Sequence, residues 1–194
     1  GFPKGVCFNH RAMVAVTESI NTYLENGPSD IILNALPLSY VYGLYQVMLA
    51  THAGATLALE KSFAYPYQIV QALEREKATG FPGVPTAFAL LLSLKDIRKL
   101  DFSSLRYLTN AAAALPPKHI FELKEVFPQA KIFSMYGITE AKRVSYMPPD
   151  ELEQRPSSVG KGIPNEEVYV VDEDGNPVPP GTVGELVVRG SNVM

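Results

Sequence analysis

The stretch Ala130-Lys131-Ile132-Phe133-Ser134-Met135-Tyr136-Gly137-Ile138-Thr139-Glu140 joins a strand to the loop that follows it. Residues 130–135 are mostly apolar and predict a buried strand, which ends near Gly137. The loop then places an aromatic ring, a hydroxyl and a carboxylate close together, at Tyr136, Thr139 and Glu140. Loops at the carboxyl ends of parallel strands open into the crevice where ligands bind.

Two interpretations of this loop stay open on spacing alone. In the first, Tyr136 stacks on a planar base, Thr139 donates to a phosphate oxygen and Glu140 holds a hard cation such as Mg²⁺. In the second, the loop is an ordinary turn after a strand, and Thr139 and Glu140 cap the next segment.

Strands and helices alternate along most of the chain. Buried strands are predicted at 30–36, 54–60, 80–84, 105–109 and 130–135, and amphipathic or apolar helices at 11–25, 44–52, 67–77, 86–94 and 119–127. This alternation predicts an α/β fold with a parallel sheet flanked by helices. If the strands at 105–109 and 130–135 are neighbours, the loops 110–114 and 136–140 open on the same crevice.

The pattern changes after Tyr146. Residues 147–158 are loop-like, and strands are predicted at 167–172 and 182–189 around the hairpin signal Asp174-Gly175. The predicted organisation is therefore an α/β subdomain at 1–146, followed at 147–194 by a linker and the beginning of a small antiparallel β subdomain.

Composition excludes several classes of protein. The 194 residues suffice for one buried core, or for one domain and the start of another, and the net charge of −3 argues against a nucleic-acid surface. The single cysteine, Cys7, excludes an intrachain disulfide and fits a reducing compartment. Because Cys7 lies between Val6 and Phe8, we expect a small core residue rather than a nucleophile.

The chain ends and apolar runs predict the location of the protein. No run approaches the roughly 20 apolar residues that span a bilayer. The opening Gly1-Phe2-Pro3-Lys4-Gly5 has neither an initiator methionine nor the features of a signal peptide. We therefore expect an internal piece of a longer, cytoplasmic protein without a transmembrane segment.

Other motifs are weak or missing. His10, His52 and His119 are far apart and lack the spacing of metal ligands, and the sequence contains no GxGxxG, GxSxG or complete P-loop. The alanine run 111–114 after the strand at 105–109 has two open interpretations. It presents a flat surface on which a ligand lies, or it allows tight packing of a helix on the sheet.

Five blocks together resemble the motifs of the AMP-forming acyl-CoA synthetase family, the adenylate-forming enzymes. Tyr136–Glu140 matches the family's YGxTE motif, and Gly1–Val6 resembles the end of SGTTGxPKG. The blocks similar to PLFHxxG, SVGKPxPG and PGxxGELxxxG are 37–43, 158–164 and 181–190. The order of the blocks is that of the family, and together they span almost the whole chain, from Gly1 to Gly190.

The resemblance implies a ligase with a two-step reaction. A carboxylic acid attacks the α-phosphate of ATP, held with Mg²⁺, to give an acyl-adenylate and pyrophosphate. The acyl group is then transferred to a thiol, which is that of coenzyme A or of the phosphopantetheine of a carrier protein. The fold implied for this chain is the central α/β subdomain of such a ligase.

The resemblance also implies roles for individual residues. Gly1 and Lys4 would belong to the phosphate loop, Thr139 would contact the α-phosphate and Glu140 would bind Mg²⁺; Lys4, Thr139 and Glu140 are thus the expected catalytic residues. The adenine would lie against Tyr136, Gly137, Asn110, Ala111, Ala112 and Ala113. The acyl group would lie near Tyr40, Gly43 and Val84.

Departures from the family pattern qualify these roles. Ser39 and Tyr40 stand where the family usually has Phe and His, and the alanine run replaces a GGA sequence. The SGTT residues, the TGD aspartate and the carboxy-terminal lid with its lysine are not in this sequence, so we expect no complete adenylation by this chain alone. An alternative is a non-catalytic nucleotide-binding or regulatory module; a Rossmann oxidoreductase is disfavoured.

The acid itself is not determined by the motifs. Segments 36–43 and 80–88 are apolar and aromatic, which fits a fatty or an aromatic acyl chain. A hydrophobic core would have the same composition.

Overall fold

The computed structural model describes Phe2 and residues 4–194. The helices are α1 His10–Leu24, α2 Val41–Ala53, α3 Pro66–Arg75, α4 Pro85–Leu92 and α5 Pro117–Val126. The strands are β1 Ile31–Asn34, β2 Thr56–Leu59, β3 Gly80–Gly83, β4 Tyr107–Asn110, β5 Lys131–Tyr136, β6 Ser145–Tyr146, β7 Lys161–Gly162, β8 Glu166–Val171 and β9 Glu185–Gly190.

The first seven strands form one sheet in the order β2-β1-β3-β4-β5-β6-β7. The five strands from β1 to β5 pair in parallel, whereas β6 and β7 are antiparallel additions beside β5. The predicted α/β fold with a mostly parallel sheet between helices is confirmed. The further prediction of antiparallel strands near the end of the chain is also confirmed, because β8 and β9 form a separate two-stranded sheet.

The sheet is covered on both faces, as parallel sheets are. Alternate side chains of each strand point to opposite faces, so Leu33 packs on one face and Ile32 on the other. One core contains the apolar faces of α3, α4 and α5, and the other those of α1 and α2. The helices therefore hold the strand ends in fixed positions from both sides.

Local sequence signals explain where the helices start. Proline stands at the first turn of α3, α4 and α5, where its missing N–H costs nothing. Asn9 caps α1, because its side-chain oxygen accepts a hydrogen bond of 2.8 Å from the N–H of Ala12. None of the helices in the described part of the chain has the length and apolar character that a membrane span requires.

Helix α2 begins at Val41, earlier than the predicted start at Leu44. Gly43 makes this early start possible, because a Cβ at that position would collide with the carbonyl oxygen of Pro37. The glycine lets the loop before α2 pass close to the first turn of the helix.

Residues on both sides of Tyr146 contribute to the large sheet. Strand β7 pairs with β6, and Met147 and Leu152 belong to the core that contains the apolar faces of α3, α4 and α5. The domain boundary between residues 146 and 147 stays a prediction.

The expectation that Cys7 is a core residue is wrong, because its side chain is exposed. Residues 4–9 form neither helix nor strand and precede α1. The apolar neighbours of Cys7 therefore do not indicate a buried element.

Candidate functional site

A cavity of about 400 Å³ opens at the carboxyl ends of β1, β3, β4 and β5. Its lining consists of Leu36, Pro37, Tyr40, Val41, Tyr42, Gly43, Phe63, Val84, Ala111, Ala112, Gly137, Ile138, Thr139, Lys142 and Arg143. The chain leaves β1 toward β2 on one side and later returns to add β3 on the other side. Such a reversal of strand order is where open α/β sheets bind their ligands.

The two loops expected to share a crevice do so. Strands β4 and β5 are neighbours in parallel register, with Asn110 opposite Ser134. Of the predicted site residues, the cavity lining includes Tyr40, Gly43, Val84, Ala111, Ala112, Gly137 and Thr139. Five others, Lys4, Asn110, Ala113, Tyr136 and Glu140, are not part of that lining. Gly1 lies outside the described residues.

Asn110 holds the loop 110–114, the alanine loop, in place. This residue is fully buried, and its side-chain amide donates to the carbonyl oxygen of Ala113 at 2.9 Å. Ala111 packs into the core that contains α1 and α2, whereas Ala112 and Ala113 are exposed. The packing interpretation therefore fits Ala111 alone, and Ala111 and Ala112 are the members of the run that line the cavity.

Ala112 has an unusual backbone conformation. Its φ angle is 72°, in the left-handed region that disfavours residues with a Cβ. Strain of this kind is often found beside functional sites. Ala112 lies in the loop directly after β4 and lines the cavity.

The loop after β5 folds back tightly on itself. The N–H of Val144 donates to the carbonyl of Tyr136 at 2.9 Å, and the chain then continues into β6. A Cβ on Gly137 would collide with the carbonyl oxygen of Lys142. The side chains of Thr139 and Glu140 are exposed, and Tyr136 is 37% exposed at the end of β5. All three are therefore accessible to a ligand.

Tyr42 contributes to the cavity wall and was not predicted individually, although it lies in the 36–43 segment. Its hydroxyl donates to the carbonyl oxygen of Thr109 at 2.9 Å, which ties α2 to β4. Burial raises the pKa of Tyr42 to about 12, so the hydroxyl keeps its proton at neutral pH.

Two cations beside the YGxTE motif were missed. Lys142 is 9% exposed and Arg143 4% exposed, and both line the cavity. The Lys142 ammonium lies over the ring of Phe8, and burial lowers the pKa of Lys142 to about 8. The basic pair directly follows Glu140-Ala141 in the sequence, but it lies outside the YGxTE motif.

The described residues hold no cluster of three or more His, Cys, Asp or Glu side chains suited to a metal ion. Glu140 is therefore a single carboxylate, which follows Thr139 of the cavity lining without being part of that lining itself. This arrangement still fits Mg²⁺, which commonly takes one or two protein carboxylates and completes its shell with phosphate oxygens and water.

The end of the chain packs against this loop. The side-chain amide of Asn192 donates to the carbonyls of Ala141 and Arg143 at 3.1 Å and to Glu166 at 3.0 Å. Burial raises the pKa of Glu166 to about 8. The hairpin of β8 and β9 thus supports the loop that carries the cations.

Curated relatives of this chain are coenzyme A ligases. The 4-coumarate--CoA ligase-like 6 of Arabidopsis thaliana is 36% identical over all of this chain and 36% of its own length. The long-chain-fatty-acid--CoA ligase of Escherichia coli O6:H1 is 32% identical over all of this chain and 35% of its own length. The chain therefore spans about a third of the length of these relatives.

Solved structures share the fold closely. VinN matches 99% of this chain and 47% of its own with a TM-score of 0.88 and 40% identity. Its complex with L-aspartate matches all of this chain and 48% of its own, with a TM-score of 0.87 and 36% identity. O-succinylbenzoate coenzyme A synthetase (MenE) from Bacillus subtilis, in complex with AMP, matches all of this chain and 39% of its own, with a TM-score of 0.90 and 26% identity.

The resemblance to adenylate-forming enzymes is confirmed by these matches. The family described as AMP-binding enzyme matches residues 1–194, the whole of the sequence. The chain belongs to the AMP-binding enzyme family.

Proposed function

We propose that the complete protein carrying this chain is an AMP-forming acid–thiol ligase. The observation that carries the proposal is the cavity at the reversal of strand order, which brings the YGxTE loop and the alanine loop together. Membership of the AMP-binding family supports the same reaction class. The substrates would be ATP, a carboxylic acid and a thiol, namely coenzyme A or the phosphopantetheine of a carrier protein.

The reaction would proceed in two balanced steps. A carboxylate oxygen forms a bond to the α-phosphorus of ATP, and the bond from that phosphorus to the bridging oxygen breaks to release pyrophosphate. A thiolate then attacks the acyl carbon, and AMP leaves with the oxygen that came from the acid. Catalysis of such displacements depends mainly on positioning and charge neutralisation.

The adenine would lie across the ends of β4 and β5. Ala111 and Ala112 offer a surface without bulky side chains, and the exposed ring of Tyr136 is available for stacking. Because Gly137 has no side chain, the backbone at this position can approach the adenine closely. The hydrogen bond from the Asn110 side chain to the carbonyl oxygen of Ala113 would fix the conformation of the loop that forms this surface.

The phosphates would be held at the other side of the YGxTE loop. The Thr139 hydroxyl would donate to an α-phosphate oxygen, and Glu140 would ligate Mg²⁺, which neutralises phosphate charge when bound. Lys4 would contribute a further positive charge from the phosphate loop; its side chain is exposed and does not line the cavity.

The acid would enter between the start of α2 and the start of α4. Tyr40 and Gly43 line the cavity from the first of these, and Val84 from the second. A fatty or aromatic acid fits these apolar walls. The VinN complex supports testing L-aspartate as well.

ATP–pyrophosphate exchange by the complete protein tests the proposal. The acids should include short, long, aromatic and amino acids. We expect exchange with one class of acid, reduced about 100-fold or more in Glu140→Ala. The matched control is Glu173→Ala, an exposed carboxylate of the β8–β9 turn, which should leave exchange unchanged. Nucleotide binding without any exchange would favour a non-catalytic nucleotide-binding module instead.

The isolated residues 1–194 should not catalyse exchange. They span about a third of the length of the curated relatives, so most of such an enzyme is not in this sequence. Acyl-adenylate formation by these residues alone would contradict this part of the proposal.

A further inference from the structure

Lys142 and Arg143 are buried cations without an anionic partner. Their exposed fractions are 9% and 4%, and the Nζ of Lys142 and the Nε of Arg143 have no hydrogen-bond acceptor. Within the part of the chain that the structure describes, neither side chain forms a salt bridge. Both nevertheless line the cavity.

This arrangement is unfavourable unless a ligand completes it. Removing a charge from water without pairing it costs free energy, and two adjacent like charges add to that cost. The aromatic rings of Phe8 and Tyr42 face the two cations, but an aromatic ring carries no net charge. The described residues of the cavity lining include no Asp or Glu.

An anion from the ligand is therefore expected beside this pair. The anion could be the reacting carboxylate, an α-phosphate oxygen or a second carboxylate on the acid. Two cations on the reacting carboxylate would stabilise the ground state of the nucleophile, which opposes its attack on phosphorus. A second carboxylate stays charged through both steps, so its pairing would hold the acid in place throughout.

We propose that Lys142 and Arg143 bind a non-reacting carboxylate, so that the preferred acid of this enzyme is a dicarboxylic acid. This inference rests on the proposed ligase function. The guanidinium of Arg143 matches the two oxygens of a carboxylate, and the ammonium of Lys142 adds a second donor. The apolar residues Leu36, Val41 and Val84 line the same cavity and would contact the carbon chain between the two carboxylates.

This proposal differs from the sequence-based expectation of a fatty or aromatic acid. The apolar walls are present, but a fatty acid has no second charge to pair with the cations. The methyl end of a fatty acid would remove water from Lys142 and Arg143 without offering them an anion in its place.

Binding without nucleotide tests the inference separately from catalysis. The complete protein is titrated with succinate and with adipate, and with their monoamides, which keep the shape but lose one charge. We expect each diacid to bind at least about tenfold more tightly than its monoamide. In Arg143→Met that preference should fall to less than about threefold, and Arg143→Lys should retain part of it.

A matched control removes a lysine elsewhere. Lys95→Met eliminates an exposed cation that does not line this cavity, and it should keep the full preference. If Arg143→Met does not fold, the wild-type comparison of diacid with monoamide and the Arg143→Lys variant still decide the question.

Exchange assays separate the acid from the phosphate as the source of the anion. If the pair binds the acid, Arg143→Met lowers kcat/KM for the diacids far more than for the monoamides. Equal losses for both acids would assign the pair to the α-phosphate and overturn the inference. Equal binding of diacid and monoamide by the wild-type protein would also overturn it, whereas exchange itself, with any acid, reports on the ligase function.

Discussion

The guanidinium carbon of Arg143 lies 5.2 Å from the centre of the Tyr42 ring. This contact joins the loop after β5 to the first turn of α2, and Tyr42 in turn is hydrogen-bonded to Thr109 of β4. Three segments that are distant in sequence therefore meet at one wall of the cavity. Substitutions on any of them should affect the same site.

Tyr42→Phe should lower the free energy of unfolding by about 1 kcal/mol, because it leaves the buried carbonyl of Thr109 without this donor. The ring that faces Arg143 is kept, so the position of the cation should change little. Urea denaturation of the complete protein measures the loss. Tyr65→Phe is the control, since that side chain is 65% exposed; equal effects of both substitutions would contradict the assigned role of the hydroxyl.

Ala112→Gly should raise the free energy of unfolding by about 1 kcal/mol. Glycine adopts the positive φ of 72° without the steric penalty of a Cβ, and this gain exceeds the extra flexibility of the unfolded chain. Ala114→Gly, in the same run without a positive φ, should be destabilising instead. A stability loss in Ala112→Gly would show that the alanine conformation is not strained.

Gly137→Ala should reduce exchange activity by about tenfold or more. The added methyl group would meet the carbonyl of Lys142, and displacement of the loop would move Thr139 and the two cations. The comparison is Gly27→Ala, where a Cβ has open space around it. Full activity in Gly137→Ala would mean that the loop geometry does not matter for the reaction.

Glu166→Gln should remove a pH dependence of stability. Burial raises the pKa of Glu166 from 4.5 to about 8 in the folded state, so the folded protein holds a proton that the unfolded chain releases between those values. The contribution of Glu166 to stability is therefore fully present below pH 4.5 and is lost as the pH rises through about 8.

Thermal unfolding at pH 5 and pH 8 checks this effect. The melting temperature of Glu166→Gln relative to wild type should be higher at pH 8 than at pH 5. The exposed Glu173→Gln should show no such difference between the two pH values. A constant offset for Glu166→Gln would mean that Glu166 is ionised in the folded protein.

The parallel sheet and the position of the site could be predicted from local patterns. Near-continuous apolar strands such as β5 indicate burial on both faces, and prolines and glycines mark where elements start and end. The YGxTE loop could be identified because Tyr136–Glu140 matches a motif of the family, whereas its spacing alone left two interpretations open. The crevice followed from the expected pairing of β4 with β5.

The remaining features depend on tertiary contacts that local patterns do not encode. Cys7 and its apolar neighbours have the composition of a core segment, but the backbone around Cys7 forms no strand or helix. Lys142 and Arg143 resemble ordinary surface residues in the sequence. In the fold their side chains are buried, and they face the rings of Phe8 and Tyr42, which lie far away in the sequence.

The fate of the oxygen atoms of the acid tests the central claim most directly. The complete protein is incubated with ATP, coenzyme A and an acid labelled with ¹⁸O in its carboxylates, and the products are weighed by mass spectrometry. Attack of the carboxylate on the α-phosphorus predicts one ¹⁸O atom in each molecule of AMP. Label in inorganic phosphate, or AMP without label, would contradict an acyl-adenylate and with it the proposed ligase reaction.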